Sequence, residues 1–213
     1  MKRSFALILG IFGFGLGVLV ATFLSASVPA QNPQAFCRPS APEQLANGPK
    51  VLFWGNSLAF DHNWRLRRSV PVNCARQGMT AKAALEVIHT LPAIEFDAIV
   101  VVFGTVELLR DIKSVDQFSA AISTNIAQLS SAYDGSKIVV VGVPEGPLDV
   151  WRYNPDVPAS AVNDVLRQID GVDYIDTTQV LSDLPWDMQT YDGIHLTVES
   201  YAILEQALIE RIN

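Results

Sequence analysis

Beyond residue 50 the chain alternates short, dense apolar runs with longer stretches in which apolar positions recur every three or four residues. Val51 to Trp54 is a compact apolar run that breaks at Gly55, which predicts a buried strand entering a tight turn. Val70 to Cys74 predicts a second short strand. Asp97 to Phe103 is nearly continuous in β-branched and aromatic residues, the pattern of a central parallel strand covered on both faces. Lys137 to Val143 repeats that pattern, and Asp173 to Ile175 is a shorter version. Between these runs the spacing predicts helices over Thr80 to Thr90, Val115 to Tyr133 and Pro158 to Ile169, with a closing amphipathic helix over Val198 to Ile212. The alternation implies a three-layer α/β/α domain built on a mainly parallel sheet. In such domains functional groups gather at the carboxyl ends of the strands, where Gly55 to Ser57 and Gly104 to Glu107 fall.

Upstream of residue 50 the pattern changes. Lys2 and Arg3 precede an uncharged apolar run from Phe5 to Leu24, and the next charge is Arg38. Two readings of residues 1–30 stand side by side. The run is long enough to span a bilayer as an anchor, whereas Val28-Pro29-Ala30 before Gln31 satisfies the small-residue rule for signal cleavage. Gly13 and Gly17 share a spacing that packs membrane helices together, although glycine is frequent in such segments anyway. Residues 31–49, rich in Ser, Ala, Pro, Gln and Asn, read as a linker, and 50–213 as the folded domain. Either reading of the leader places that domain outside the cytoplasm, in the periplasm or beyond. Cys37 and Cys74 would there meet oxidising conditions and can pair, the alternative being two separate buried thiols.

Charge narrows the partners. The chain carries a formal −7, and without Lys2 and Arg3 the remainder is more acidic still. An acidic domain lacks the basic face that phosphate neutralisation requires, so nucleic acid is not an expected partner. No Cys/His cluster has metal-ligand spacing, and no cofactor is implied.

The candidate chemistry lies at opposite ends of the domain. Ser57 ends the first strand-turn segment, and Asp192-Gly193-Ile194-His195 lies just before the last helix. A serine hydroxyl becomes a useful nucleophile when an imidazole accepts its proton, and that imidazole needs a carboxylate to fix its tautomer. The Asp-x-x-His spacing supplies both partners from one turn. For Ser57 the alternative is an ordinary helix cap, and for His195 a surface histidine near a helix start.

Gly-Asn-Ser after the first strand, the isolated Gly78 after the second, Gly104-Thr105 after the third and Asp-Gly-Ile-His-Leu-Thr before the final helix form an ordered set. Together they resemble the SGNH, or GDSL-type, hydrolase superfamily, over essentially all of Lys50 to Asn213. The resemblance implies a flavodoxin-like fold with a five-stranded sheet. It also implies that Ser57 is the nucleophile, His195 the base and Asp192 its orienting acid, with the backbone N–H groups of Ser57 and Gly78 as oxyanion donors. Asn56 stands where the family usually has Asp, a nearly isosteric change expected to keep the turn.

The third block departs from the pattern. The family usually reads Gly-x-Asn-Asp, with the Asn side chain as a third oxyanion donor, whereas this chain reads Gly104-Thr105-Val106-Glu107. Valine donates no hydrogen bond, and loss of one such donor typically costs about 10²–10³ in kcat. Thr105, Asn73 and Gln77 are the candidate substitutes. Glu107 reads either as a partner of the site loops or as a solvated acid at a helix start. Arg65, Arg67 and Arg68 read as a solvated helix face, with an anion-holding role as the alternative. Trp54 reads as core, and Trp64, Trp151 and Trp186 as packing or as the lining of a sugar or acyl site. His62 and His89 have no recognisable partners in the sequence.

The resulting expectation is a serine ester hydrolase, or a related acyltransferase, acting on a small-molecule, glycan or lipid ester of the cell envelope, with a membrane tether through residues 5–24 under the anchor reading. The competing expectation is a catalytically impaired domain of the same fold that binds envelope polysaccharide or a protein. A purely structural domain would require that Ser57, Asp192 and His195 not converge.

Overall fold

The computed structural model of the chain describes residues 37–39, 48–110, 114–146 and 157–212. The leader, most of the linker and Trp151 lie outside them. The strands are β1 (Arg38–Pro39), β2 (Lys50–Gly55), β3 (Val70–Asn73), β4 (Ala98–Val102), β5 (Lys137–Val141) and β6 (Asp173–Ile175). They form one sheet in the order β1-β3-β2-β4-β5-β6. The five longer strands are parallel, as the apolar runs predict, and β1 joins the edge antiparallel to β3 through Arg38 opposite Asn73 and Pro39 opposite Val72. Proline, which cannot donate to a ladder, is tolerated at such an edge.

Strand β1 lies within the segment read as a linker. Beside it, Cys37 and Cys74 form a disulfide across a sequence separation of 37 residues. Closing a loop of that length removes chain entropy from the unfolded state equivalent to about 3–4 kcal/mol. Reduction, or Cys74→Ser, is therefore expected to lower Tm by roughly 10 °C in a domain of this size, measured by calorimetry with and without reductant. An unchanged Tm would show that the bridge merely decorates the fold.

Alternation along the strands divides the apolar side chains between two cores. Leu52, Trp54, Ile99, Val101, Ile138 and Val140 face one side, and Val51, Phe53, Ala98, Val100, Val139 and Val141 face the other. The first side is covered by α2 (Ala81–Val87), α4 (Val115–Ala132) and α5 (Ala159–Arg167). Helix α4 offers Phe118, Ile122, Ile126 and Leu129 at helical spacing, and within that stripe Asn125 is fully buried. Its amide is satisfied: Oδ1 accepts from the Trp54 indole at 3.2 Å, and Nδ2 donates to the carbonyls of Ala81 and Ala121. The second side is covered by α1 (Ser57–Phe60) and α8 (Val198–Ile212), joined by the Tyr201 hydroxyl donating to the Leu58 carbonyl at 2.9 Å. Three short helices complete the described domain: α3 (Thr105–Arg110), α6 (Thr177–Val180) and α7 (Trp186–Gln189).

Several predicted boundaries shift for visible reasons. The strand expected to reach Val143 ends at Val141, because the Asn163 side chain accepts from the Val143 N–H and donates to its carbonyl, drawing that residue out of the ladder. The helix expected from Thr80 begins one residue later, with the Thr80 hydroxyl capping the Ala83 N–H. It tightens into a 3₁₀ turn at Ile88–Thr90 ahead of Pro92, consistent with the restriction that proline imposes on the residue before it. Helix α3 has no periodic run to announce it, and the helix-start alternative for Glu107 is its one trace in the sequence.

Candidate active site

At the carboxyl end of β2 the backbone passes very close to β4. A Cβ on Gly55 would lie 2.2 Å from the Val102 carbonyl oxygen, so only glycine fits there. Asn56 then donates its N–H to that same carbonyl, and its side-chain oxygen caps α1 by accepting from the Leu58 N–H, both at 3.0 Å. The Asn in place of the family's usual Asp therefore keeps the turn, as expected. Its Nδ2 is buried with no hydrogen-bond partner, a desolvation cost that the amide carries at this turn. Ser57 follows as the first residue of α1 and is almost fully buried.

The His195 ring arrives from the loop before α8. A bridge between Thr190 and Leu196 pins the loop's ends, and Tyr191 donates its N–H to the His195 carbonyl at 3.0 Å. Asp192 Oδ1 accepts the N–H groups of Ile194 (2.9 Å) and His195 (2.7 Å), while Oδ2 lies 2.6 Å from His195 Nδ1. Nδ1 thus carries the proton toward Asp192, and Nε2 presents its lone pair to Ser57 Oγ at 3.0 Å. Burial pushes the Asp192 carboxyl up, but the hydrogen bonds from the His195 ring and the two N–H groups outweigh it and hold the carboxyl below its ordinary value. A depressed value means stability that is complete above the unfolded value near 3.8 and is lost as pH falls through the folded one. Thermal melts of Asp192→Asn are expected to lose less Tm than the parent between about pH 5 and pH 2. An equal loss in both would contradict the assignment.

These groups open into a cleft of about 350 Å³, also lined by Asp61, Gln77, Gly78, Thr105, Val106 and Tyr191. Gly78 lies in a turn with φ +67°, and its N–H and that of Ser57 meet no protein acceptor among the described residues. Gly104, at φ +114°, is packed against Val143 and Val162 so closely that a Cβ would come within 2.6 and 2.8 Å of their methyl groups. Val106 is buried and faces the cleft without a polar atom.

Of the three substitute donors, Asn73 is fully engaged: Nδ2 donates to the Ala59 carbonyl and Oδ1 accepts from the Ala75 N–H. Gln77 donates to Asp61 Oδ1 at 2.9 Å. The Thr105 hydroxyl is buried with no partner, at the mouth of α3.

Glu107 is buried rather than solvated. One carboxyl oxygen accepts from the Gly104 N–H at 2.9 Å and the other from the Ala81 N–H at the start of α2. It ties the third block to the element that follows Gly78. Burial pushes its carboxyl up, and these backbone hydrogen bonds pull in the opposite direction.

Other candidates fall outside the cleft. Arg65, Arg67 and Arg68 are exposed on a loop and turn, not on a helix face. Trp64 is buried, stacked on Phe53 at 4.4 Å, and Trp186 packs against Gly146. His62 pairs with Glu205 at 3.0 Å and stacks on Tyr201, and burial lowers its pKa. His89 is exposed.

Three cleft residues were missed: Asp61, Leu109 and Tyr191. Asp61 Oδ2 lies 4.0 Å from His195 Nε2, and the Tyr191 ring stacks on the imidazole at 5.8 Å. Asp61 was findable, because it stands four residues after Ser57 and so on the same side of a helical turn.

The GDSL-like Lipase/Acylhydrolase family model matches residues 47–203. Among solved structures the chain is similar to an arginine-to-alanine mutant of Axe2, an acetyl-xylooligosaccharide esterase from Geobacillus stearothermophilus, at 18% identity and TM-score 0.63, covering 78% of this chain and 94% of that one. It is similar also to a lipase/acylhydrolase from Enterococcus faecalis, at 17% identity and TM-score 0.61, covering 77% and 95%. A catalytic mutant of Axe2 with a serine replaced by alanine aligns at 17% identity and TM-score 0.62, covering 78% and 94%, and further catalytic mutants replace an aspartate and a histidine. A comparison with curated protein sequences gives no significant match.

Proposed function

Since this chain belongs to the GDSL-like lipase/acylhydrolase family of serine esterases, we propose that it cleaves acyl esters through Ser57, His195 and Asp192. The observation that carries the reading is the continuous relay from Ser57 Oγ to His195 Nε2 at 3.0 Å and from His195 Nδ1 to Asp192 at 2.6 Å. Ser57 Oγ attacks the ester carbonyl as His195 Nε2 takes its proton, and Asp192 stabilises the imidazolium that forms. The N–H groups of Ser57 and Gly78 receive the oxyanion. His195 then protonates the departing alcohol, and water, deprotonated by the same nitrogen, releases the acid and restores Ser57. An acceptor alcohol in place of water would make the same site an acyltransferase.

The substrate in this reading is a short acyl ester, such as an O-acetyl group, on an envelope glycan or lipid. The description of Axe2 as an acetyl-xylooligosaccharide esterase supports the acyl group, and the serine, aspartate and histidine of its catalytic mutants support the triad. The basic start and the apolar run from Phe5 to Leu24 support an exported or tethered location.

Val106 favours a second reading, a binding domain with an impaired site, because the position that usually supplies a donor is apolar. Hydrolysis of p-nitrophenyl acetate and butyrate by the parent and Val106→Asn separates the two. The esterase reading expects slow turnover by the parent and a rise in kcat of about 10- to 100-fold in Val106→Asn, up to the range one oxyanion donor supplies. Folded protein inactive in both forms would favour the binding domain.

A further inference from the structure

We infer that Asp61, held in place by Gln77, forms the alcohol side of the cleft and selects esters whose alcohol carries a free hydroxyl beside the ester oxygen, as in glycerol and sugar acetates. The inference rests on the esterase reading of Ser57 and His195. In that reading His195 Nε2 delivers a proton to the departing alcohol oxygen, so that oxygen must come within hydrogen-bond reach of Nε2. Asp61 Oδ2 lies 4.0 Å from the same nitrogen, within reach of a substituent on the neighbouring carbon of the alcohol. The Gln77 amide donates to Asp61 Oδ1 at 2.9 Å, which orients the carboxylate and leaves Oδ2 as the oxygen for substrate.

An ionised carboxylate only accepts, so the group it recognises must donate. Among the described residues, the side chains lining the cleft include two carboxylates, Asp61 and Asp192, and no lysine or arginine. An alcohol bearing phosphate or carboxylate would therefore be repelled. Tyr191, 68% exposed and stacked on the imidazole, adds a flat aromatic face at the rim, the kind of surface that takes the apolar side of a polyol or sugar.

The test compares kcat/KM for glycerol 1-acetate, propyl acetate, acetylcholine and p-nitrophenyl acetate in the parent, Asp61→Asn and Asp61→Ala. The parent is expected to prefer glycerol 1-acetate over propyl acetate by about 10-fold or more, the effect of one hydrogen bond to a charged group. Asp61→Ala is expected to bring that ratio to near unity, and Asp61→Asn, which keeps an acceptor oxygen, to an intermediate value. Because the readout is a ratio within each variant, general damage to His195 would lower both rates and leave it unmoved. A parent ratio near one, or a ratio unaltered in Asp61→Ala, overturns the inference. A preference for acetylcholine, which has positive charge but no donor, overturns it in favour of recognition by charge. Failure of the parent to hydrolyse even p-nitrophenyl acetate would instead remove the esterase reading itself.

Discussion

Ser57→Ala is expected to lower kcat/KM for p-nitrophenyl acetate by about 10⁴- to 10⁶-fold, the range seen when a triad nucleophile is removed and only binding and oxyanion donors remain. The fold should not notice. The Ser57 hydroxyl meets the His195 ring and caps nothing, since the end of α1 is held by the Asn56 side chain. Tm should therefore move by no more than the few degrees that a single modest hydrogen bond supports. A variant with unchanged Tm and wild-type hydrolysis would place the nucleophile elsewhere.

Glu107→Ala is expected to act on stability first and on catalysis through it. The carboxylate satisfies two buried N–H groups that belong to different elements, Gly104 at the end of β4 and Ala81 at the start of α2. Removing it leaves both donors without a partner inside the protein, about 2–5 kcal/mol for two buried hydrogen bonds to one charged group. For a domain of this size that corresponds to a fall in Tm of roughly 10 °C. The loops bearing Gly78 and Val106 would loosen together, so kcat should fall even at temperatures where the variant is fully folded. Glu107→Gln, which retains one acceptor oxygen, should fall between the two. Thermal melts paired with p-nitrophenyl acetate kinetics give both numbers, and a Glu107→Ala variant as stable as the parent would show that the bridge is dispensable.

What the sequence made legible follows from how each feature is encoded. Parallel strands buried on both faces must be apolar at nearly every position, so β4 and β5 were visible as continuous runs. Ser57, Asp192 and His195 were visible as candidates because their types suit nucleophilic catalysis and their order matches the SGNH pattern, and the structure brings the three side chains within hydrogen-bond distance. Strand β1 was not, because two residues carry no period and are held by pairing with β3 beside a disulfide whose formation depends on distance in space. Asn125 and Asn163 look like polar interruptions in amphipathic helices, yet each is buried and ties its helix to distant backbone. Glu107 was undecided for the same reason: only the arrival of Ala81 turns a helix-start acid into a bridge. The sequence does register Val106 as a departure, and the structure adds that neither candidate amide has taken over, since Asn73 and Gln77 are bonded elsewhere.

An esterase acting through Ser57 requires an activated nucleophile and a working oxyanion hole. Incubation with a fluorophosphonate, followed by intact mass and peptide mapping, tests both requirements in one experiment. The expected result is one adduct per chain, located on Ser57 and absent from Ser57→Ala and His195→Ala. Folded protein that takes up no label, or label on another residue, would contradict it.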